Sequence, residues 1–180
     1  MKWKSIIILW IIFTIQFIIS CCSQVKYFDF DEISVEVSNT TIEQGEELYL
    51  KIGAVDLKYI SFNHTDFGFS NALAFDCDDG WGGMKYPLKE IRITSDSNFN
   101  DEHLADELLN DLFQVEIYKG NNETGFVPLS DVEIDNVYAA YIELLLTEKP
   151  TLSNTHKFKI TLTKSNDEKL IVESNSVIWQ

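Results

Sequence analysis

The chain of 180 residues is 45% hydrophobic and 24% charged, a balance that excludes a disordered or collagen-like polymer. Fourteen Lys and Arg stand against 29 Asp and Glu, and the formal charge of −15 argues against nucleic acid as a partner, because phosphate binding needs a basic face. Three His and three Cys are too few for a zinc ribbon or a disulfide-dense scaffold.

The N-terminus carries Lys2 and Lys4, then an apolar run from Ile6 to Ile19 interrupted only by Thr14 and Gln16. A membrane-spanning helix needs about 20 apolar residues; this shorter stretch fits the apolar region of a secretory signal. It ends in Ile18-Ile19-Ser20-Cys21, which resembles a bacterial lipobox. The resemblance implies cleavage before Cys21, diacylation of its sulfur and acylation of its amine. An uncleaved anchor helix, or an ordinary signal cut nearby, is the alternative. Two or three acyl chains, at about 0.8 kcal/mol per buried CH₂, hold a protein at a bilayer almost irreversibly.

Residues 1–20 are thus expected to be a lipoprotein signal peptide, 21–31 a lipidated tether and 32–180 a single β-domain. Loss of Lys2 and Lys4 takes the formal charge from −15 to −17, so anionic headgroups repel the globular part. The expected address is the bacterial cell envelope, as an outer-membrane lipoprotein. The residues after Cys21 do not choose between the periplasmic and the external leaflet. In that oxidising compartment Cys22 and Cys77 either form a disulfide or remain, respectively, an unpaired thiol beside the lipid and a buried one.

Beyond the tether the dominant period is two, the mark of strands. Ile33, Val35 and Val37 alternate with Ser34 and Glu36; Leu48, Leu50 and Ile52 alternate with Tyr49 and Lys51. A further extended run leads from Val55 through Leu57 and Tyr59 toward Phe62, and another contains Leu73, Phe75 and Cys77. Ile91 and Ile93 follow between Glu90, Arg92 and Thr94.

From Asn100 the period changes. Leu104, Leu108, Leu109 and Leu112 fall on one helical face, Asn100 can cap the free N–H groups, and Asp101 and Glu102 suit the positive end of the dipole. A short helix is predicted there. Strand patterning returns with Phe113, Val115 and Ile117. The stretch from Tyr138 to Leu146 is apolar on both faces except at Glu143, as a central strand would be. Phe158, Ile160 and Leu162 alternate with Lys157, Lys159, Thr161 and Thr163, and the turn Ser165-Asn166-Asp167-Glu168 predicts a hairpin into Leu170 to Val172. Val177 to Trp179 forms a last extended piece. The fold class is therefore all-β and mainly antiparallel, an immunoglobulin-like β-sandwich with one short helix, with a barrel as the alternative.

Three stretches carry a resemblance. They are Leu88-Lys89-Glu90-Ile91-Arg92-Ile93-Thr94-Ser95-Asp96 running into Asn98-Phe99-Asn100; Leu108-Leu109-Asn110-Asp111-Leu112-Phe113; and Leu146-Thr147-Glu148-Lys149-Pro150 followed by His156-Lys157-Phe158. In this order they resemble an uncharacterised Bacteroidetes-type lipoprotein family carrying a domain of unknown function. The resemblance implies an exported, lipid-anchored β-rich domain and brings no activity or catalytic residues.

The densest local chemistry is Asp76-Cys77-Asp78-Asp79-Gly80-Trp81-Gly82-Gly83. Carboxylates with glycine freedom can wrap a hard cation, which makes Asp76, Asp78 and Asp79 candidate ligands for Ca²⁺. The segment fails as an EF-hand: its glycine comes one place early, and Pro87 stands where a bidentate Glu is required. A solvated acidic turn is the plainer reading. Trp81 offers an aromatic platform for a sugar or peptide.

Asp131, Glu133 and Asp135 share one face if they lie on a strand, where they would guard an edge. His64, His103 and His156 are scattered, with no nucleophile elbow and no His-Glu-x-x-His helix. The expectation is a non-enzymatic binding or assembly module that meets the membrane through its lipid and an envelope protein, peptide or glycan through its β-domain. No cofactor is expected beyond the Ca²⁺ candidate. The alternative is a metal-assisted or acid/base hydrolase of envelope glycan or peptide built around Asp76 to Asp79.

Overall fold

The computed structural model describes residues 26–61, 82–120, 123–134, 137 and 139–180. They form β1 (Lys26–Asp29), β2 (Glu32–Val37), β3 (Thr41–Ile42), β4 (Leu48–Val55), β5 (Lys58–Ser61) and β6 (Leu88–Ser95). A 3₁₀ turn at Asn110–Leu112 precedes β7 (Phe113–Gly120), β8 (Glu123–Pro128) and β9 (Tyr141–Leu146). The last four strands are β10 (Thr155–His156), β11 (Phe158–Lys164), β12 (Lys169–Glu173) and β13 (Val177–Trp179). The protein is all-β, mainly antiparallel and sandwich-like, with none of its sheets closed.

Two compact units divide the described residues. The smaller contains β1 and β5, paired antiparallel, and Met84, which bridges Phe28 in parallel. Backbone bonds from Phe28 N to Gly83 O (3.0 Å) and from Lys85 N to Phe28 O (2.8 Å) complete this ribbon. Lys26–Asp29, inside the stretch expected to be a tether, is thus strand β1.

The larger unit spans Phe30–Leu57 and Tyr86–Gln180. Its principal sheet has the order β2-β4-β9-β7-β8, antiparallel throughout. A second sheet, β12-β11-β6, is also antiparallel, and a third, β10-β13-β3, includes the parallel pair β13–β3. Period two does the sorting. Leu48, Leu50 and Ile52 on β4 and Ile142, Leu144 and Leu146 on β9 are buried, as are Ile91 and Ile93 on β6 and Phe158, Ile160 and Leu162 on β11. The five-stranded sheet and the sheet β12-β11-β6 meet where Phe113 of β7 packs edge-on against Phe158 of β11, ring centroids 5.8 Å apart. Trp179 closes the same cluster against Phe158 and His156. The hairpin β11–β12 forms as its turn predicts, with Asp167 in the left-handed conformation (φ 65°).

Three sequence expectations are corrected. The run from Val55 to Phe62 is not continuous: Asp56 takes φ 50°, which ends β4 and starts β5 afresh in the other unit. The residues Asp131 and Glu133 lie in a turn and coil after β8 rather than on a strand, with Asp131 N bonded to Pro128 O at 3.1 Å; Asp135 is outside the described residues. The helix from Asn100 is absent. Its backbone donors go instead to the edge of β6, from Asp106 N to Ser95 O (2.8 Å) and from Leu109 N to Ile93 O (2.9 Å). Asp106 adopts φ 65°, which no α-helix admits, and Leu104 and Leu108 stay exposed while Leu109 and Leu112 are buried.

In place of a helix the connector is a fitted cover for a sheet edge. Asn110 acts as a strand surrogate: Ile93 N donates to its Oδ1 (3.0 Å) and its Nδ2 donates to Ile91 O (2.7 Å). Asn100 does cap, accepting from Glu102 N (3.0 Å) and His103 N (2.8 Å) through Oδ1, but the chain then bends instead of winding into a helix.

Candidate binding face

Cys21, Cys22, Asp76, Cys77, Asp78, Asp79 and Trp81, the residues on which the lipid, disulfide, Ca²⁺ and platform expectations rest, lie outside the described residues, as does His64. Among the described residues no group of three His, Cys, Asp or Glu is placed to hold a metal ion.

The two described histidines are built into the core. His156 is fully buried. Its Nε2 faces the Ser153 carbonyl at 2.9 Å and must donate, so Nδ1 accepts from the Ser95 hydroxyl at 2.8 Å. Burial pushes its pKa down, opposed by the Ser153 carbonyl and by the charge of Asp96. Ser95 and His156 are neighbours across the edge of the sandwich, packed against Phe99, Phe158 and Trp179. His103 points Nδ1 at Asn100 Oδ1 (2.9 Å) and Nε2 at the Asp111 carboxylate (3.0 Å), tying the connector's two ends together.

The outer face of the five-stranded sheet is different, because its side chains are not consumed by packing. Strand parity turns Tyr49 and Lys51 of β4, Tyr141, Glu143 and Leu145 of β9, and Gln114 and Glu116 of β7 away from the core. Phe126 of β8, opposite Glu116, joins them. The Tyr49 and Phe126 rings come within 5.9 Å, tilted at 60°, although β9 and β7 run between their strands. They form an aromatic ridge on this face.

Carboxylates border the ridge. Tyr49 donates its hydroxyl to Glu47 at 2.6 Å, and that hydrogen bond is the main reason its phenol pKa is raised. Tyr141 donates to Glu143 at 3.1 Å, while Lys51 approaches the same carboxylate at 3.7 Å. For Tyr141 burial is the leading cause of a raised pKa, with the Glu143 hydrogen bond second. Beside Tyr49 the β2–β3 and β3–β4 connections enclose a shallow groove of about 400 Å³ lined by Ser38, Asn39, Gly45, Glu46, Glu47 and Tyr49. Gly45 (φ 96°) makes the turn, which Glu46 locks by accepting from Glu43 N at 3.0 Å.

Neither the protein-family models nor the curated proteins contain a match to this chain.

That face could have been found from the sequence only in part. Alternation places Tyr49 and Lys51 opposite the buried Leu48, Leu50 and Ile52. Phe126 gave no such signal: Glu123–Pro128 contains Gly125 and Pro128, both weak strand formers, and β8 exists because β7 offers it an edge.

Proposed function

We propose that this chain is a lipid-anchored protein of the bacterial cell envelope, held at the outer membrane through Cys21, whose β-domain is a binding module rather than an enzyme. The observation that carries the binding role is the half-buried Tyr49–Phe126 ridge with its adjoining groove. Aromatic side chains left on an outer sheet face, bordered by hydrogen-bonding groups, supply contact area with little rotamer entropy to lose. The lipid reading is supported by the lipobox-like Ser20-Cys21 and by the family resemblance in the stretches around Leu88, Leu108 and Leu146.

Two experiments test the two halves. Cys21→Ala should abolish incorporation of a fatty-acid probe and leave unprocessed precursor; unchanged labelling and mature size would refute the anchor. For the binding face, a photo-crosslinking amino acid in place of Tyr49 or Phe126 in living cells should give discrete adducts absent from the same substitution at exposed Glu173 of β12. A ladder identical at all three positions, or none, would remove the face as the binding surface.

A further inference from the structure

The charge around the ridge is unbalanced in one direction. Glu46 and Glu47 line the groove, and neither meets a Lys or Arg within ion-pair distance among the described residues. Lys51, the one cation of the ridge among the described residues, is engaged with Glu143, and its strand neighbour on the other side is Glu36. Tyr49 therefore presents a half-exposed ring between two uncompensated carboxylates and the Phe126 ring.

This combination discriminates among occupants. A neutral sugar would stack on Tyr49 but draw nothing from the charge of Glu46 and Glu47. A guanidinium uses both, stacking flat on an aromatic face while its fork of N–H groups meets carboxylate oxygens. The groove is also open and shallow, whereas sites for free small molecules enclose most of the ligand's surface. An arginine delivered on a larger body, with the rest of that body resting on the sheet face, fits better.

Resting on the binding role proposed above, we infer that the Tyr49 groove receives an arginine side chain of a basic segment in a partner protein. Tyr49 and Phe126 stack the guanidinium, and Glu46 and Glu47 take its N–H groups.

The test titrates the full-length lipoprotein, in a sugar-free polyether detergent, with tetra-arginine amide and with a neutral chitin tetrasaccharide, read by calorimetry. Tetra-arginine should bind, and binding should weaken about tenfold between roughly 50 and 300 mM salt. The double variant Glu46→Gln/Glu47→Gln, which keeps side-chain shape, should weaken it by a similar factor, and Tyr49→Ala should do so even at high salt. Glu102→Gln, an equal loss of charge in the β6–β7 connector, should leave it unchanged. Equal weakening by Glu102→Gln would mean that net acidity alone attracts the peptide, and the inference would fall. Binding of the tetrasaccharide in place of tetra-arginine would overturn it while leaving the binding face intact. Binding of neither overturns it as well, and the crosslinks from Tyr49 then report separately on the broader role.

Discussion

Lys164 ends β11 fully buried, with Nζ donating to the Phe30 carbonyl and to Glu168 at 3.2 Å and lying over the Phe30 ring. Parity alone does not place it: Phe158, Ile160 and Leu162 point inward, but the register against β6 shifts between Thr163 and Lys164, and both of those residues are buried. An ammonium in that place is expensive to desolvate, so its partners matter more than its charge. Lys164→Ala should cost about 2–5 kcal/mol in urea unfolding, because it opens a cavity and also removes a buried donor to the Phe30 carbonyl. Lys164→Met, which fills the volume, should cost clearly less. Equal losses would mean that the polar contacts, not packing, hold the strand end.

His156 makes a pH prediction. Its folded pKa lies below the unfolded value of 6.5, so between that value and the lowered one the unfolded chain binds the extra proton. Stability contributed by the neutral ring is complete above about pH 6.5 and declines as the pH falls through that window. Protonation would also end the donation from the Ser95 hydroxyl to Nδ1, forcing that O–H to turn to another acceptor. The urea midpoint should therefore drop on acidification from pH 7.5 to about 5, and His156→Gln should flatten that part of the profile. A drop of the same size in the variant would assign it to carboxylates instead.

At the scale of elements the connector between β6 and β7 is the instructive case. Its leucines sit at helical spacing and its cap residue is in place, yet β6 presents an edge whose carbonyls accept the connector's N–H groups. Tertiary hydrogen bonds outcompete a helix too short to hold itself. Asn110 is the hinge of that arrangement, bonded to both Ile93 N and Ile91 O. Asn110→Ala should destabilise the protein by about 2 kcal/mol, the cost of leaving two part-buried backbone groups unpaired. Fast amide exchange at Ile93 in the variant would localise the damage; unchanged exchange there would show that another group covers the edge.

For the whole molecule the acidic excess sets the environment of every contact. With 29 acids against 14 bases, the charged groups repel one another on average. Screening should therefore raise the melting temperature between roughly 10 and 300 mM NaCl, even though the surface pair Lys89–Asp167 at 2.8 Å weakens. A fall in melting temperature would mean that specific pairs outweigh the net repulsion. The same acidity favours the basic partner inferred for the Tyr49 groove.

The alternation of apolar residues was enough to specify β2, β4, β6, β7 and β11, because one side of each is pressed into a core and period two has no other outcome. The Ser165–Glu168 hairpin was legible for a similar reason, since its turn chemistry is local. What only the tertiary structure decided is everything that depends on a neighbour's edge or face: the pairing of β8, the unwound connector, the break at Asp56, the burial of His156 and Lys164. The Tyr49–Phe126 ridge belongs to that second group. Its two rings lie 77 positions apart in sequence and meet only because the sheet order brings four strands side by side.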